Sequence, residues 1–503
     1  MQCLMDKRPM KSVSSSTGHY KDNGSEESQP LISGQVQVDY RETSRKEGAN
    51  EVATFFNFAK ASIGSGSFAL SWGILKTGVI LGSAGMVLLG IASVYTMQLM
   101  LDCKRFIERR SPSKSLTYTQ LGWEAMGPFG KWAVNISVLG CNLGVCAGYM
   151  IFISSNLQWS FSCLLYESGN ETCFTVWEVY AMILPILILL TYLPSFKILA
   201  YAAYVGSVFL VVAMVVVYVF GGQHGFCAVH DNEVEYLPSS ALGLAQWFGV
   251  TAFLFCVHSM VIPLESTMKR PKNMPVVLDS AALTVVVVNL PFALYGYLMF
   301  GSGTEGYIFE NLPGGTFNDI VRILLSIELT LTFPIVIKPA TDVMEEILHN
   351  VLMYFKVPAI KDLYESKLLS YRIGRTVMVC ALRTILVLVS WGVAVGIPRF
   401  ELCLALVGSL ATTVLAFVLP PMFHLALKWR HTHIFVNVFH IVLLACGIMA
   451  TLLATSINLY MAIIGGANNN TCGAIHSQCQ SSTTENCVSH VGSDNASYTY
   501  NIL

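Results

Sequence analysis

The stretch Phe55-Phe-Asn-Phe-Ala-Lys-Ala-Ser-Ile-Gly-Ser-Gly-Ser-Phe-Ala-Leu70 decides the fold. It lies in an apolar segment long enough to cross a bilayer, yet Gly64 and Gly66 alternate with Ser65 and Ser67 near its middle. These residues weaken a helix where it is deepest, and backbone freed from helical bonding there must meet protein, ligand or water. We therefore predict an unwound stretch beside a binding site. The alternative is that the small residues only allow close helix packing.

The chain around this stretch has the composition of a membrane protein. Of its 503 residues, 54% are hydrophobic and 12% are charged, about half the charge of soluble domains. The net charge of −1 gives no basic surface for nucleic acid. The apolar blocks are continuous, as in spanning helices, so we predict an all-α polytopic membrane protein. Eleven spans are predicted, at residues 52–76, 79–103, 132–161, 176–193, 198–220, 241–268, 276–300, 320–348, 377–397, 402–427 and 433–464.

Three regions follow from this pattern. Residues 1–50 are rich in Ser, Gly, Lys and Glu and are predicted to be a disordered cytosolic tail. Residues 51–464 form the transmembrane domain, and residues 465–503 form a lumenal or extracellular tail. Alternate loops carry the Lys and Arg residues, which places those loops in the cytosol. The N-terminus is therefore predicted to be cytosolic and the C-terminus lumenal or extracellular.

The predicted non-cytosolic segments carry two further signals. The sequons at Asn170, Asn469 and Asn495 all lie in them, which predicts a glycoprotein. Cys173 and Cys227 also lie there, where an oxidising lumen permits disulfides, and they are the preferred bridge. For the cysteines of the C-terminal tail, free thiols are an equal alternative.

The sixth span contains a second candidate break. Residues 255–260, Phe-Cys-Val-His-Ser-Met, precede Pro263, which has no amide hydrogen and removes a helical hydrogen bond. Interruption of spans one and six matches folds in which five helices repeat with inverted topology and substrate binds at the membrane midplane. The two breaks therefore predict one central binding site.

The chemistry of the two breaks favours a zwitterion. Free amides at residues 65–67 suit a carboxylate, and freed carbonyls at residues 255–257 suit an ammonium group. A small neutral amino acid is the predicted substrate. The candidate substrate-binding residues are Ile63, Gly64, Ser65, Gly66, Ser67, Phe255, Cys256, His258 and Ser259.

Several motifs, in order along residues 51–464, resemble one family. They are Gly-Ser-Gly at 64–66, Pro-Leu-Glu-Ser-Thr-Met-Lys-Arg-Pro at 263–271, Asn-Leu-Pro at 311–313, Ile-Pro-Arg at 397–399 and Leu-Val-Gly-Ser-Leu at 406–410. Together they resemble the amino acid/auxin permease family, closest to the proton-coupled amino acid transporters, with features of the sodium-coupled neutral amino acid transporters. The resemblance implies a leucine-transporter-type inverted repeat of five plus five helices with one additional helix, and secondary active transport by alternating access.

The resemblance leaves the coupling ion open between proton and sodium. Proton-coupled members commonly carry a His a few residues before the first-span glycines, where this chain has Asn57, as sodium-coupled members more often do. Thr330 and Thr332 on span eight are candidate oxygen ligands for sodium, although threonines in membrane helices often bond their own backbone. No other cofactor is expected.

Ionisable residues inside the spans suggest gating roles. Lys60 and Glu265 form a candidate inner-gate pair, with an interfacial Glu265 near Lys269 as the alternative. His258 is a candidate proton acceptor, or else a hydrogen-bonding packing residue.

The first tail supplies a candidate address. Glu27-Ser-Gln-Pro-Leu31-Ile32 resembles an acidic dileucine signal for adaptor proteins, so we expect the lysosomal or late endosomal membrane, or the plasma membrane. The sequence offers no catalytic triad, phosphate loop or metal-spaced Cys and His set, and an enzyme is not expected. The rival function is an amino-acid-sensing receptor that signals occupancy to cytosolic partners.

Overall fold

The fold is helical throughout the part of the chain that the structure covers. The computed structural model describes residues 48–110, 116–167, 173–193, 196–226, 229, 234–238, 240–312, 315–354 and 369–464. Within these residues, nine helices are long and apolar enough to cross a membrane. A shorter apolar helix, Val176–Tyr192, and the interrupted first span bring the number of crossings to eleven. The predicted all-α architecture of eleven spans is confirmed.

The first five spans run as follows. Span one consists of α1 (Glu51–Ser62) and α2 (Leu70–Thr77), joined through a 3₁₀ turn at Ser65–Ala69. Spans two to five are α3 (Val79–Arg110), α4 (Tyr118–Glu167), α5 (Val176–Tyr192) and α6 (Phe196–His224).

The second set of spans begins with another divided helix. Span six consists of α7 (Ala241–Leu254) and α8 (His258–Thr267), followed by α9 (Met274–Phe300), α10 (Thr316–Tyr354) and α11 (Leu369–Gly396). Span ten consists of α12 (Phe400–Val407) and α13 (Leu419–Lys428), with wider π turns at Gly408–Thr412 and Val414–Val418 between them. The last span is α14 (Ile434–Ile464). The first span of each five-helix set is interrupted, as the leucine-transporter-type arrangement requires.

The third span is longer than predicted. Helical hydrogen bonding begins at Tyr118, well before residue 132, and the chain turns sharply at Met126 and Gly127. Gly127 has φ +64°, a conformation that L side chains rarely adopt, so the residues before it form a separate short helix. The apolar span proper follows this turn.

The spans pack as two groups with α6, α12 and α13 between or beside them. One group is α4, α5, α10 and α11, with α4 against both α10 and α11. The other contains both parts of span one with α3, α7 and α9; α1 packs on α9, while α2 packs on both α7 and α9. Large apolar side chains on the outer faces, such as Phe435, are exposed, as expected for surface that lipid covers.

Candidate functional site

The helix of span one is broken at the predicted residues. After α1 ends at Ser62, Ile63 (φ −84°, ψ 102°) and Gly64 (φ −152°, ψ −157°) are extended, and the chain resumes as the turn that leads into α2. The extended residues divide the span into two half-helices. The predicted unwinding is therefore confirmed, and we call residues 63–64 the first break.

The start of the second half-helix leaves polar groups unpaired. The Ser67 amide donates to the Gly64 carbonyl at 3.0 Å, whereas the amides of Ser65 and Gly66 have no acceptor among the described residues. The Ser67 hydroxyl is fully buried and has no hydrogen-bond partner there. Free amides at a helix start, at the positive end of its dipole, form an anion site. The arrangement suits a carboxylate.

The second break lies at Phe255–Val257, between α7 and α8. The carbonyls of Phe255 and Val257 accept hydrogen bonds from the amides of Val257 (2.9 Å) and Met260 (3.0 Å). The Cys256 carbonyl accepts none from the described backbone. Pro263 lies inside α8 rather than at the break. Of the three carbonyls predicted to face an ammonium group, that of Cys256 is the one left free.

A close contact joins Gly66, just after the first break, to α7, the helix that leads into the second break. A Cβ atom added at Gly66 would lie 2.9 Å from Cε1 of the Phe253 ring, so only glycine fits there without displacing that ring. A Cβ atom added at Gly64 would meet nothing within 4 Å. The first break therefore has an open side next to Gly64 and a closed side against α7.

Access to the breaks differs between the two ends of the bundle. On the side toward α2, the Phe68 ring lies 5.1 to 6.2 Å from the rings of Phe152, Phe292 and Phe309, and all four side chains are buried. On the side toward α1, Ile63 and Gly64 are half-exposed. We call these the α2 side and the α1 side. The aromatic cluster closes the site on the α2 side.

A buried arginine holds this closure in place. Arg322 on α10 is 2% exposed and donates to the carbonyls of Phe309 (2.7 Å) and Leu312 (2.9 Å), and its guanidinium lies 4.6 Å from the centre of the Trp159 ring. Its other close partner is Asp319, at 3.4 Å. Arg322 therefore ties the segment at residues 304–312, which carries Phe309, to α10 and α4.

The same segment carries two carboxyl groups whose pKa values are raised, those of Glu305 and Glu310. Burial raises the pKa of Glu310 well above its usual range. The nearby Glu401 and Glu305 raise this pKa further, whereas Arg399 and Arg322 lower it by less. Burial also raises the pKa of Glu305. Protons are therefore bound at the closed α2 side at higher pH than a free carboxyl would bind them.

On the α1 side, Lys60 and Glu265, the predicted gate pair, are not paired in this structure, and their gating role stays a prediction. Glu265 binds Lys104 of α3 at 2.7 Å and Arg105 at 3.2 Å. Lys60 instead lies over the Tyr204 ring of α6, 4.7 Å from its centre. Glu265 is closer to the basic end of α3 than to α1, because α8 packs against α3. The alternative, an interfacial Glu265, is nearer to the observed arrangement, although its partners are on α3.

Other predicted residues are placed as follows. Asn57 accepts a hydrogen bond from the Tyr204 hydroxyl at 2.9 Å. Thr330 donates to the carbonyl of Ser326 in its own helix at 2.7 Å, and Thr332 donates to Glu328 at 3.0 Å. Both hydroxyls therefore donate hydrogen bonds within α10, and their role as sodium ligands stays a prediction. Ser259 is half-exposed, next to the second break.

The side chains of His258 and Phe255 contact α3. The His258 ring is fully buried and its Nε2 lies 3.0 Å from the Thr96 hydroxyl of α3. The Phe255 ring packs against Gly90, which is also on α3. Both side chains join span six to span two, as packing residues do, and the substrate role predicted for them rests on no contact at the break.

Some of the predicted disulfide and glycosylation sites lie among the described residues, and the others lie outside them. Cys163 and Cys173 each take part in a disulfide bond, and Cys163 is a cysteine for which the sequence predicted none. Cys227 lies outside the described residues, so the Cys173–Cys227 pairing stays a prediction. The sequons at Asn170, Asn469 and Asn495, the tails at 1–47 and 465–503, and the Glu27-Leu31-Ile32 signal also lie outside them.

Sequence reasoning assigned no site role to two side chains, Phe253 and Glu328. Phe253 lies against Gly66. In the sequence it is one of several aromatic residues in apolar segments, and no pattern marks it as a site residue. Glu328 is buried in the middle of α10, 6% exposed. A lone carboxylate in an apolar span was its signal. A cavity of about 290 Å³ lies elsewhere, near the end of α4, lined by Phe161, Leu164, Leu165, Phe174 and Met182.

A family model and several similar sequences show the family of this chain. A family model described as transmembrane amino acid transporter protein matches residues 48–464. Among similar proteins of Arabidopsis thaliana, the amino acid transporter ANT1 is 26% identical over 84% of this chain and 94% of its own length. The amino acid transporter AVT3C is 26% identical over 75% of this chain and 83% of its own length. The crystal structure of MhsT in complex with L-phenylalanine is 13% identical, with a TM-score of 0.42, over 83% of this chain and 99% of that one.

Proposed function

The chain belongs to the transmembrane amino acid transporter family, and from this we propose that it is a secondary active transporter of small neutral amino acids that works by alternating access. The observation that carries the proposal is the interrupted first span with free amides near its middle. The substrate's carboxylate binds the amides of Ser65 and Gly66, and its ammonium group binds the Cys256 carbonyl.

The surroundings of the breaks favour a small, uncharged side chain. The ring of Phe253 already contacts Gly66, which limits the space on the α7 side. Cys256 is half-exposed, and its thiol lies 3.1 Å from that of Cys141. Neither group offers a charge to pair with a substrate side chain, and an unpaired charge is costly in such a place. Small neutral amino acids fit these constraints.

The asymmetric access supports alternating access. The aromatic cluster around Phe68 closes the α2 side, while Ile63 and Gly64, which follow α1, are half-exposed. Opening the α2 side requires the rings around Phe68 to separate, and α2 and Phe152 belong to different helix groups. A relative movement of the two groups would open one side as it closes the other.

The orientation is proposed from charge. Contacts from Arg270 to Glu51, Lys104 to Glu265 and Lys428 to Asp102 gather basic side chains at the end of the bundle that holds the start of α1. Loops rich in Lys and Arg stay in the cytosol. The α1 side is therefore cytosolic and the C-terminus lumenal or extracellular, in a lysosomal or plasma membrane, with adaptor proteins at the first tail.

Transport by purified protein in liposomes tests this function. We expect labelled small neutral amino acids to exchange across the membrane and to accumulate when a proton or sodium gradient is imposed. A panel of labelled amino acids identifies the substrate. Saturable binding without exchange or net flux would contradict the transporter and favour the amino-acid-sensing receptor.

A further inference from the structure

Glu328 is a carboxyl group inside the bilayer region that lacks a close counter-charge. It lies in the middle of α10, 6% exposed, and no cationic side chain of the described residues comes within ion-pair distance of it. The Thr332 hydroxyl donates a hydrogen bond to it at 3.0 Å. An ionised carboxylate in such a place is expensive, and a bound proton removes the cost. The geometry therefore provides a place for a proton.

Three elements surround this carboxyl, and each contributes a defined group. From α1, Lys60 interacts with Glu328 electrostatically while its ammonium lies over the Tyr204 ring. From α4, Tyr149 lies within electrostatic range. From α6, Gly206 approaches so closely that an added Cβ atom would lie 2.2 Å from Cγ of Glu328. Lys60 is thus the cation that faces Glu328 from the packed elements, at longer range than an ion pair.

The carboxyl and the ammonium group belong to different helix groups. Lys60 is on α1, which packs on α9, and Glu328 is on α10, which packs on α4, α6 and α11. A movement of α1 relative to α10 changes the separation of Lys60 and Glu328. Approach of the ammonium stabilises the carboxylate and favours release of the proton, and retreat favours its rebinding.

We propose that Glu328 is the binding site of the transported proton, with Lys60 as the counter-charge that replaces the proton when α1 moves; this rests on the proposed transport function. One proton adds to the carboxylate on one side of the membrane and leaves the carboxylic acid on the other. Lys60 already supplies positive charge at this junction, and that charge opposes the binding of a sodium ion here.

The test compares two transport modes in liposomes with the membrane potential clamped at zero. If one proton is carried with each neutral substrate molecule, a gradient of one pH unit supports about tenfold accumulation of the substrate. We expect this accumulation from the wild type and its loss in Glu328→Gln, while exchange of labelled for unlabelled amino acid stays within about twofold, since exchange moves no net proton. Glu346→Gln is the matched control, because Glu346 is an exposed carboxyl on the same helix, paired with Lys131.

A second variant keeps the carboxyl and displaces it. Gly206→Ala places a methyl group against the stem of Glu328, so we expect the pH dependence of uptake to shift while the protein still exchanges substrate. Proton-driven accumulation by Glu328→Gln at the wild-type level, or accumulation by the wild type that follows sodium alone, would overturn the proposal. A wild type that shows neither exchange nor accumulation would instead overturn the transport function itself.

Discussion

Replacing Gly66 with alanine tests the first break directly. The new Cβ atom would lie 2.9 Å from Cε1 and 3.0 Å from Cδ1 of the Phe253 ring, closer than Cβ atoms pack in proteins. The ring is a half-buried side chain, so it moves aside, and the space open to it is the space proposed for substrate. Overpacking of this kind costs about 1–3 kcal/mol. If the ring occupies the substrate's place, that energy appears as roughly 5- to 150-fold weaker substrate affinity.

The assay is equilibrium binding of the labelled substrate to purified protein, with thermal unfolding measured on the same samples. Gly392→Ala on α11 is the matched control, because an added Cβ atom there meets nothing within 4 Å and the residue lies outside the site. We expect unchanged affinity in the control and a similar unfolding midpoint in both variants. Wild-type affinity in Gly66→Ala would refute the placement of substrate beside this glycine.

Three further predictions follow from particular contacts. Arg322→Met leaves two carbonyls and Asp319 without their buried partner, so we expect a loss of about 3–5 kcal/mol in unfolding free energy, measured by denaturation. The thiols of Cys141 on α4 and Cys256 at the second break lie 3.1 Å apart, so oxidation should join them in a disulfide that links the two helix groups and stops transport until a reductant is added. The Cys256→Ser variant should transport equally well with and without oxidant. If the oxidant also stops transport by this variant, the prediction is contradicted. Because the pKa of Glu310 is raised in the folded protein, stability should fall as pH rises from the ordinary carboxyl value through the raised one, and Glu310→Gln should flatten the thermal midpoints measured between about pH 5 and 7.5.

The sequence predicted the features that depend on local chemistry. Glycine and serine at residues 64–67 weaken a helix whatever surrounds it, so the first break was visible without coordinates. The second break was located by its neighbourhood to Pro263, although the proline lies within α8 and the unwound residues precede it. The number of spans followed from the lengths of the apolar blocks, since a bilayer sets the length of a crossing helix.

Features that depend on how the helices are rotated could not be predicted. Lys60 and Glu265 are both near the α1 side, yet Glu265 binds Lys104 because α8 faces α3. His258 looked like a midplane titratable group, but its ring faces Thr96. The contact between Phe253 and Gly66 joins residues far apart in the chain, and no spacing in the sequence records it.

The proposed binding mode can be checked by determining a structure of the protein with a bound small neutral amino acid. We expect the substrate's carboxylate within hydrogen-bonding distance of the amides of Ser65 and Gly66, its ammonium group at the Cys256 carbonyl, and the first span still unwound between Ser62 and Ser65. Substrate bound elsewhere, with residues 62–67 wound into a continuous helix, would contradict this binding mode.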